Sequence, residues 1–495
     1  MPLQKRKEVL QMSKIAEKKK TPVDSLKEIL FKNKVVIMFV VLCFACIMIA
    51  DTPISYIVSD VFSRFGRNTC LVLALIIPCL AGLGMNFGIV VGAMAAQISI
   101  FWVVHWGFTG IGGFLLCALI STPLAVFFGW LVGKLYNKTK GSEMIAGLVL
   151  GFFADGLYRL FVLYIIGGVI PFDDPNLLER GFGLRNAFDL TGNLKYALDD
   201  ISFRHVVLMI GIITILSAVL VSIQSKKIDK PVEKKQTMTK IVTGVALIAF
   251  GLIIPMVPIL NVLFGQNRLI FTDVALFGGS IAIALAVLRF IMKRPKAGDG
   301  EFYKLIGIIV IAVLLVCGTV IAPVRAIYQA IQLPACTYAV IYLFCFLNKW
   351  LLNTRLGQNM RTVGQNRSVA TAAGIDVDKT RIVATCISTV LAAWGQLIFL
   401  QNLGTFNTVQ QQTNVGLYSI AAILVGGATV QKANNKQAVI GVILFHTLFV
   451  AAPLAATKIV GDSAVSEYIR MFISYGVIAV SLAMHAWKSV AKKED

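Results

Sequence analysis

Two ionisable side chains stand inside a long apolar stretch of this sequence, where burial of charge is costly. Asp155 and Arg159 are four residues apart in the apolar segment 145–168, so on a helix they share a face and can pair. Counted from the inner end at Glu143, Asp155 lies on the order of 18 Å into a bilayer. The pair predicts a functional site within the membrane; an ion pair that locks helices together is the alternative.

Carboxamide side chains mark other apolar stretches. Asn86 and Gln97 belong to a Gly-rich stretch at 81–97, and Gln396 lies in a later apolar segment. The Gly-rich stretch predicts a broken helix, because non-helical backbone at membrane depth is tolerated only where it lines a cavity or is buried in protein. Close helix packing through small residues is the alternative. A second such stretch, 423–429, indicates another half-helix. The candidate residues of a solute path are therefore Asn86, Gln97, Asp155, Arg159 and Gln396.

Enzymatic chemistry finds little support in the sequence. The nearest match to a phosphate-binding loop runs from Gly129 to Lys134, but it is one residue short, lacks the hydroxyl and lies in an apolar segment. The four His stand apart from catalytic partners, and the nine Cys form neither a disulfide framework nor a zinc pattern. We therefore expect no catalytic residue, metal or cofactor on this chain.

The polar segment 354–381 carries the signals of a short helix between two apolar runs. Asn366 can cap the N-terminus of a helix over 367–373, and Gly374 can supply the left-handed residue that ends it. A capped helix is more than a connector needs. The segment is interpreted as a docking element for another protein.

The elements that must position these residues are membrane-spanning helices. The chain has 495 residues, of which 57% are hydrophobic and 14% charged, against roughly 25% charged in soluble domains. A span needs about 20 apolar residues, and on that rule about fourteen segments qualify, some as half-spans. Their approximate limits are 35–50, 68–85, 88–106, 110–135, 145–168, 205–223, 241–262, 274–292, 305–322, 335–352, 381–401, 415–430, 438–456 and 468–487.

The basic residues predict the orientation. With both termini in the cytoplasm, the cytoplasmic pieces hold 34 of the 46 Lys and Arg, and the segment 354–381 is cytoplasmic too. This asymmetry accounts for the net charge of +21 without nucleic acid as a partner. The basic segment 1–34 is predicted to be cytoplasmic, with a short helix at about 22–31 near the lipid. Residues 488–495 form the other cytoplasmic tail.

These residues together resemble a family of inner-membrane permeases of ATP-binding cassette (ABC) importers. Its members include permeases for ribose, other simple sugars, nucleosides and branched-chain amino acids. The resemblance covers roughly 68–168 and 335–487. Its most specific part is the coupling motif Leu356-Gly357…Arg361-Thr362-Val363-Gly364-Gln365-Asn366…Ala370…Ala373-Gly374-Ile375. Weaker matches are Asn86-Phe87-Gly88 with Gly92, Lys140-Gly141-Ser142-Glu143-Met144-Ile145, and Ala421-Ala422-Ile423…Gly426-Gly427.

The resemblance implies an all-α, polytopic transmembrane bundle with broken or re-entrant helices across 35–487, with extra helices inserted at about 205–322. Thr362, where Ala is common, and Trp394 depart from the family pattern. The resemblance also implies partners: a separate ATPase that holds ATP and Mg, an extracytoplasmic solute-binding protein and a second permease subunit. The residues expected to couple the chain to the ATPase are Gly357, Arg361, Gly364, Asn366, Ala370, Gly374 and Ile375.

The sequence therefore predicts a multi-pass permease subunit of an ABC importer in the plasma membrane. Asn and Gln on the path favour a simple sugar or a nucleoside over a branched-chain amino acid. An ion-coupled secondary transporter that uses Asp155 as a proton site is the alternative, and a membrane enzyme ranks third.

Overall fold

The protein is an α-helical membrane bundle. The computed structural model describes residues 33–171, 174, 177–178, 183–228, 234–293, 300–462 and 464–491. The helix predicted at 22–31 lies outside these residues, as do the last four residues of the C-terminal tail. Within the described part, nine helices are long and apolar enough to cross a membrane, and three shorter apolar helices accompany them. The predicted all-α, polytopic fold is confirmed.

Eight helices are described between Lys34 and Ile253. They are α1 Lys34–Ile49, α2 Ile54–Ala74, α3 Ile76–Leu80, α4 Ile89–His105, α5 Gly110–Lys138, α6 Glu143–Leu160 with a π-helical turn Phe161–Ile165, α7 Phe203–Ile228 and α8 Lys234–Ile253.

The described residues from 258 onward form eleven further helices. Across the described chain, four short strands form two antiparallel pairs. The helices are α9 Pro258–Phe264, α10 Phe271–Lys293, α11 Gly300–Gly318, α12 Ala322–Ala330, α13 Ala335–Asn353, α14 Arg355–Gln365, α15 Arg367–Ala372, α16 Val377–Leu403, α17 Gln411–Val425, α18 Asn435–Val460 and α19 Ala464–Ala491. Strand β1 (Ala187–Asp189) pairs with β4 (Thr405–Asn407), and β2 (Arg268–Ile270) pairs with β3 (Gln332–Pro334).

Helix α16 is the central element of the bundle. It packs against α2, α4 and α5, while α18 packs against α1, α2, α17 and α19. The buried core consists largely of residues from these helices, and exposed apolar side chains of α5 and α6 form part of the outer surface. In the region predicted to be inserted, α7 packs chiefly with α8 and α10 with α11, and α12 joins this region to α2.

The broken helix predicted at 81–97 is present. Helix α3 ends at Leu80, residues 81–88 are not helical, and α4 is a short helix that begins at Ile89. Gly82 and Gly84 both adopt left-handed backbone, with φ of 72° and 73°, a conformation that glycine enters without steric cost. The second predicted half-helix is confirmed as α17, which ends at a turn where Gly427 has φ of 81°.

The start of the second apolar segment, predicted at residue 68, is wrong. Helix α2 begins at Ile54 and already includes Asp60, Arg64 and Arg67. Asp60 and Arg64 are four residues apart and form an ion pair at 2.9 Å. Pairing lowers the cost of carrying charge on a membrane helix, so the span tolerates residues that an apolar window rejects.

The two ends of the bundle are distinct. The non-helical turns next to α3, α6, α15 and α17 meet at one end, here called the loop end. Lys140 before α6 and Asp378 in α16 pair there at 2.9 Å. Helix α16 has 27 residues and therefore extends about 40 Å at 1.5 Å per residue. Its last turn and the β1–β4 pair lie at the opposite end, here called the far end.

Candidate functional site

Two short helices, α14 and α15, form the segment predicted to dock a partner. Thr354 begins α14, its hydroxyl accepting a hydrogen bond from the amide of Gly357 at 3.3 Å. The side chain of Asn366 begins α15 by accepting from the amide of Val369 at 3.1 Å. The predicted cap is confirmed. Helix α14 itself was missed by the sequence reasoning, although Leu356, Met360 and Val363 have helical spacing.

The end of α15 also follows the prediction, one residue earlier than expected. Gly374 has φ of 76°, and its amide donates to the carbonyl of Thr371 at 3.0 Å. The amide of Ile375 donates to the carbonyl of Ala370 at 3.0 Å. These two bonds form a Schellman motif, which satisfies the last carbonyls of a helix and needs a left-handed residue after it.

Glycines bring α14 against the backbone of the broken helix. A Cβ at Gly364 would collide with the carbonyl oxygen of Leu80 and would stand 2.9 Å from the amide nitrogen of Gly82. A Cβ at Gly82 would stand 2.8 Å from the Cα of Gly364. Gly357 is similarly tight, since its Cβ would stand 2.5 Å from the Cα of Leu352. Helix α14 is therefore packed backbone to backbone against the turn after α3 and against the end of α13.

A buried carboxylate ties this segment to the bundle. Glu143, the first residue of α6, accepts from Arg367 at 2.6 Å and from Arg381 on the same oxygen. Its other oxygen accepts from the amide of Gly141 at 3.0 Å. Arg381 is fully buried and also donates to the carbonyl of Tyr136 at 3.2 Å. Arg367 reaches the carbonyl of Gly82 at 3.3 Å.

The sequence reasoning did not single out this cluster of Glu143, Arg367 and Arg381. One signal could have found it. Arg367 follows the N-cap of α15 directly, and a cation is unfavourable at the positive end of a helix dipole. An Arg there needs a carboxylate partner, and Glu143 is the acid closest to an apolar run on the same predicted side.

The outward side of the loop end combines small neutral residues with positive charge. On α15, Ser368 is exposed and Val369 is 56% exposed, while Ala370 is buried. Beside the preceding helix, α14, lies a cavity of about 890 Å³, where Arg361 lines the wall. Three lysines line the same cavity: Lys349, Lys432 and Lys436.

The intramembrane pair predicted from spacing is present. Arg159 and Asp155 approach to 2.6 Å. The other oxygen of Asp155 accepts from the amide of Gln412 at 2.7 Å and from the hydroxyl of Thr413 at 3.2 Å. This buried carboxylate therefore joins α6 to α17 as well as pairing within its own helix.

The predicted path amides lie in separate contacts. Asn86 accepts from the hydroxyl of Tyr136 at 2.7 Å and approaches the hydroxyl of Ser388 at 3.5 Å. Gln97 donates to the carbonyl of Asn407 at 3.4 Å. Gln396 is fully buried, and neither of its amide atoms has a partner among the described residues. No group of three His, Cys, Asp or Glu in the described part of the chain is placed to hold a metal ion.

Comparison with known proteins identifies the family. A profile of the family described as "Branched-chain amino acid transport system / permease component" matches residues 205–482, more than half of the chain. The chain belongs to this permease family. The matched range includes the region 205–322, and the division of the chain into a family-like core and inserted helices stays a prediction.

Two curated relatives are similar to parts of this permease-family chain. The nucleoside ABC transporter permease protein NupC of Lactococcus lactis is 28% identical over 145 residues, 29% of this chain and 44% of the relative. The xylose transport system permease protein XylH of Haemophilus influenzae is 31% identical over 118 residues, 24% of this chain and 30% of the relative. The matches thus span less than half of each relative's length. No solved structure matches the chain.

Proposed function

We propose that the chain is the membrane-spanning permease subunit of an ABC importer that moves a small polar solute across the cell membrane. The observation that carries this proposal is the α14–α15 pair, which presents exposed small residues while the ion pair of Arg367 with Glu143 holds it to the bundle. In this proposal the loop end is cytoplasmic, together with both termini, in line with the distribution of Lys and Arg.

The Glu143 cluster would transmit movement from the docking helix into the bundle. Arg367 connects α15 to the start of α6 and to the turn after α3. Arg381 connects the start of α16 to the same carboxylate. A push on α15 therefore reaches three elements together, which suits a rigid-body change of access rather than a local loop movement.

The partner's docking surface is expected to combine a shallow apolar pocket with acidic residues. Val369 offers an exposed aliphatic side chain that a pocket could bury. Arg361, Lys432 and the other basic residues of the neighbouring cavity would attract carboxylates, because complementary charge steers association and fixes orientation. ATP and Mg would be held by that partner ATPase.

The solute path is proposed to use the polar side chains buried in the bundle. Gln396 has an amide free to hydrogen bond with a passing solute. Asp155 links α6 to α17, so a movement of α6 that starts at Glu143 would strain the bond to Gln412. The remaining proposed path residues are Asn86, Gln97 and Arg159.

The proposed solute is a simple sugar or a nucleoside, because amide side chains suit neutral polar solutes. The names of the two relatives, one for nucleosides and one for xylose, agree with this choice. An extracytoplasmic solute-binding protein would deliver the solute at the far end, and a second permease subunit would complete the path.

Two substitutions at the loop end test the proposal. Val369→Asp places a charge on the exposed docking face without disturbing packing. Gly364→Val introduces a side chain that collides with the backbone carbonyl of Leu80. The matched control is Gly307→Val in α11, where an added Cβ meets nothing within 4 Å. We expect both test variants to lose ATPase co-purification and uptake of labelled xylose or uridine, while the control retains both.

Unchanged uptake and co-purification in both variants would refute the docking role. Uptake that collapses with an uncoupler but persists without any ATPase would instead favour the ion-coupled alternative.

A further inference from the structure

A second polar cavity lies at the far end, and its lining includes no residue of α14 or α15 and no predicted path residue. Its volume is about 290 Å³, close to the lower limit of about 300 Å³ for ligand pockets. The final turn of α16 contributes Asn402, and the segment before α7 contributes Asp199. The β2–β3 pair contributes Arg268 and Gln332.

The cavity contains a buried carboxylate held by neutral donors. Asp199 is 1% exposed. One of its oxygens accepts from the hydroxyl of Thr337 at 2.5 Å and from the amide of Gln401 at 3.0 Å. The other oxygen accepts from the amide of Asn402 at 2.8 Å. A carboxylate offers about four acceptor positions, so the second oxygen retains capacity for a further donor.

An arginine lines the same cavity as this carboxylate. The guanidinium of Arg268 lies over the ring of Tyr196 at 4.3 Å, which fixes its position. Because one wall carries a cation and another an anion, neither a simple anion nor a simple cation is favoured. The neutral polar groups Ser59, Ser63, Gln332 and Asn402 line much of the remainder.

This lining suits a molecule with several hydroxyl groups. A hydroxyl both donates and accepts, so it can pair with a carboxylate, a guanidinium, an amide or another hydroxyl. The apolar part of the wall, Phe62, Pro334 and Tyr338, is small for a branched aliphatic side chain but could cover one face of a sugar ring.

We propose that this cavity is a binding site for a small neutral polyhydroxylated solute of about pentose size. The β2–β3 pair would supply part of the site through Arg268 and Gln332, which gives this pair a role in recognition. The solute class rests on the proposed function, but binding to the permease alone requires no ATPase.

The test is calorimetric binding of D-xylose and D-ribose to the full chain purified in nanodiscs, with L-leucine as a comparison. Ser63 is exposed and lines the cavity, so Ser63→Trp fills the cavity without changing the packing of the buried core. The matched control is Ser280→Trp at an exposed serine of α10. Gln332→Ala removes one wall amide from an exposed position.

We expect millimolar or tighter binding of at least one pentose, a loss of tenfold or more with Ser63→Trp, a smaller loss with Gln332→Ala, and no change with Ser280→Trp. Binding of leucine in place of the pentoses, pentose binding that survives Ser63→Trp, or no pentose binding at millimolar concentration would overturn the site. A wild-type chain that binds a pentose but co-purifies with no ATPase would count against the proposed function alone.

Discussion

The Glu143 cluster leads to a quantitative prediction about stability. Replacement of Glu143 by Gln keeps the side-chain shape but leaves the fully buried Arg381 and the partly exposed Arg367 without their carboxylate. Loss of one partner from a buried ion pair costs about 3–5 kcal/mol, because the other charge remains buried and uncompensated. Glu143→Gln should therefore lower the free energy of unfolding by that amount, measured by steric-trap unfolding in bicelles.

A matched pair and a double variant make this prediction falsifiable. Lys140 and Asp378 also pair at the loop end, but both are about half exposed, so Asp378→Asn should cost less than about 1 kcal/mol. Glu143→Gln combined with Arg381→Met should lose less stability than Glu143→Gln alone, because the buried cation is removed as well. A Glu143→Gln loss no larger than that of Asp378→Asn, or additive losses in the double variant, would refute the reasoning.

Three further predictions follow from single contacts. Gly374→Ala should cost about 1–2 kcal/mol of unfolding free energy, since Ala disfavours φ of 76°, and Gly374→Asn should cost less. Asp155→Asn should reduce uptake at least tenfold while ATPase co-purification persists, because the neutral amide no longer forms an ion pair with Arg159 on the proposed path. Wild-type uptake and solute preference in this variant would assign the pair to structure alone. The hydrogen bond from Lys458 holds the pKa of Asp51 below its usual range, so any stabilisation from this exposed pair is present near neutral pH and is lost as pH falls through that lowered pKa. An NMR titration of Lys458→Met should show the pKa of Asp51 rising toward its ordinary value, and an unchanged pKa would contradict the contact.

Local backbone signals carried most of the fold prediction. The helix break at 81–88 and the cap at Asn366 depend on neighbouring residues only, so both could be predicted from the sequence. The start of α2 could not be predicted from hydropathy, because the charges of Asp60 and Arg64 offset each other only once the helix has formed. An apolar window counts each charge as if it were alone.

The site was predictable only where its parts are close in sequence. Asp155 and Arg159 are one helical turn apart, so their pairing follows from spacing. Glu143 and Arg381 are 238 residues apart, and only tertiary packing brings them together. The same is true of Asp199 and Asn402, whose hydrogen bond depends on how the segment before α7 folds over the end of α16.

The central claim is that a separate ATPase docks on α15 at the loop end. Its most direct test is site-specific photo-crosslinking in cells, with the crosslinker at exposed Ser368 and, as a control, at exposed Thr191 next to β1 at the far end. We predict that Ser368 crosslinks to a protein that carries a phosphate-binding loop and that Thr191 does not. A crosslink to such a protein from Thr191, or none from Ser368 in cells that take up the solute, would contradict the account.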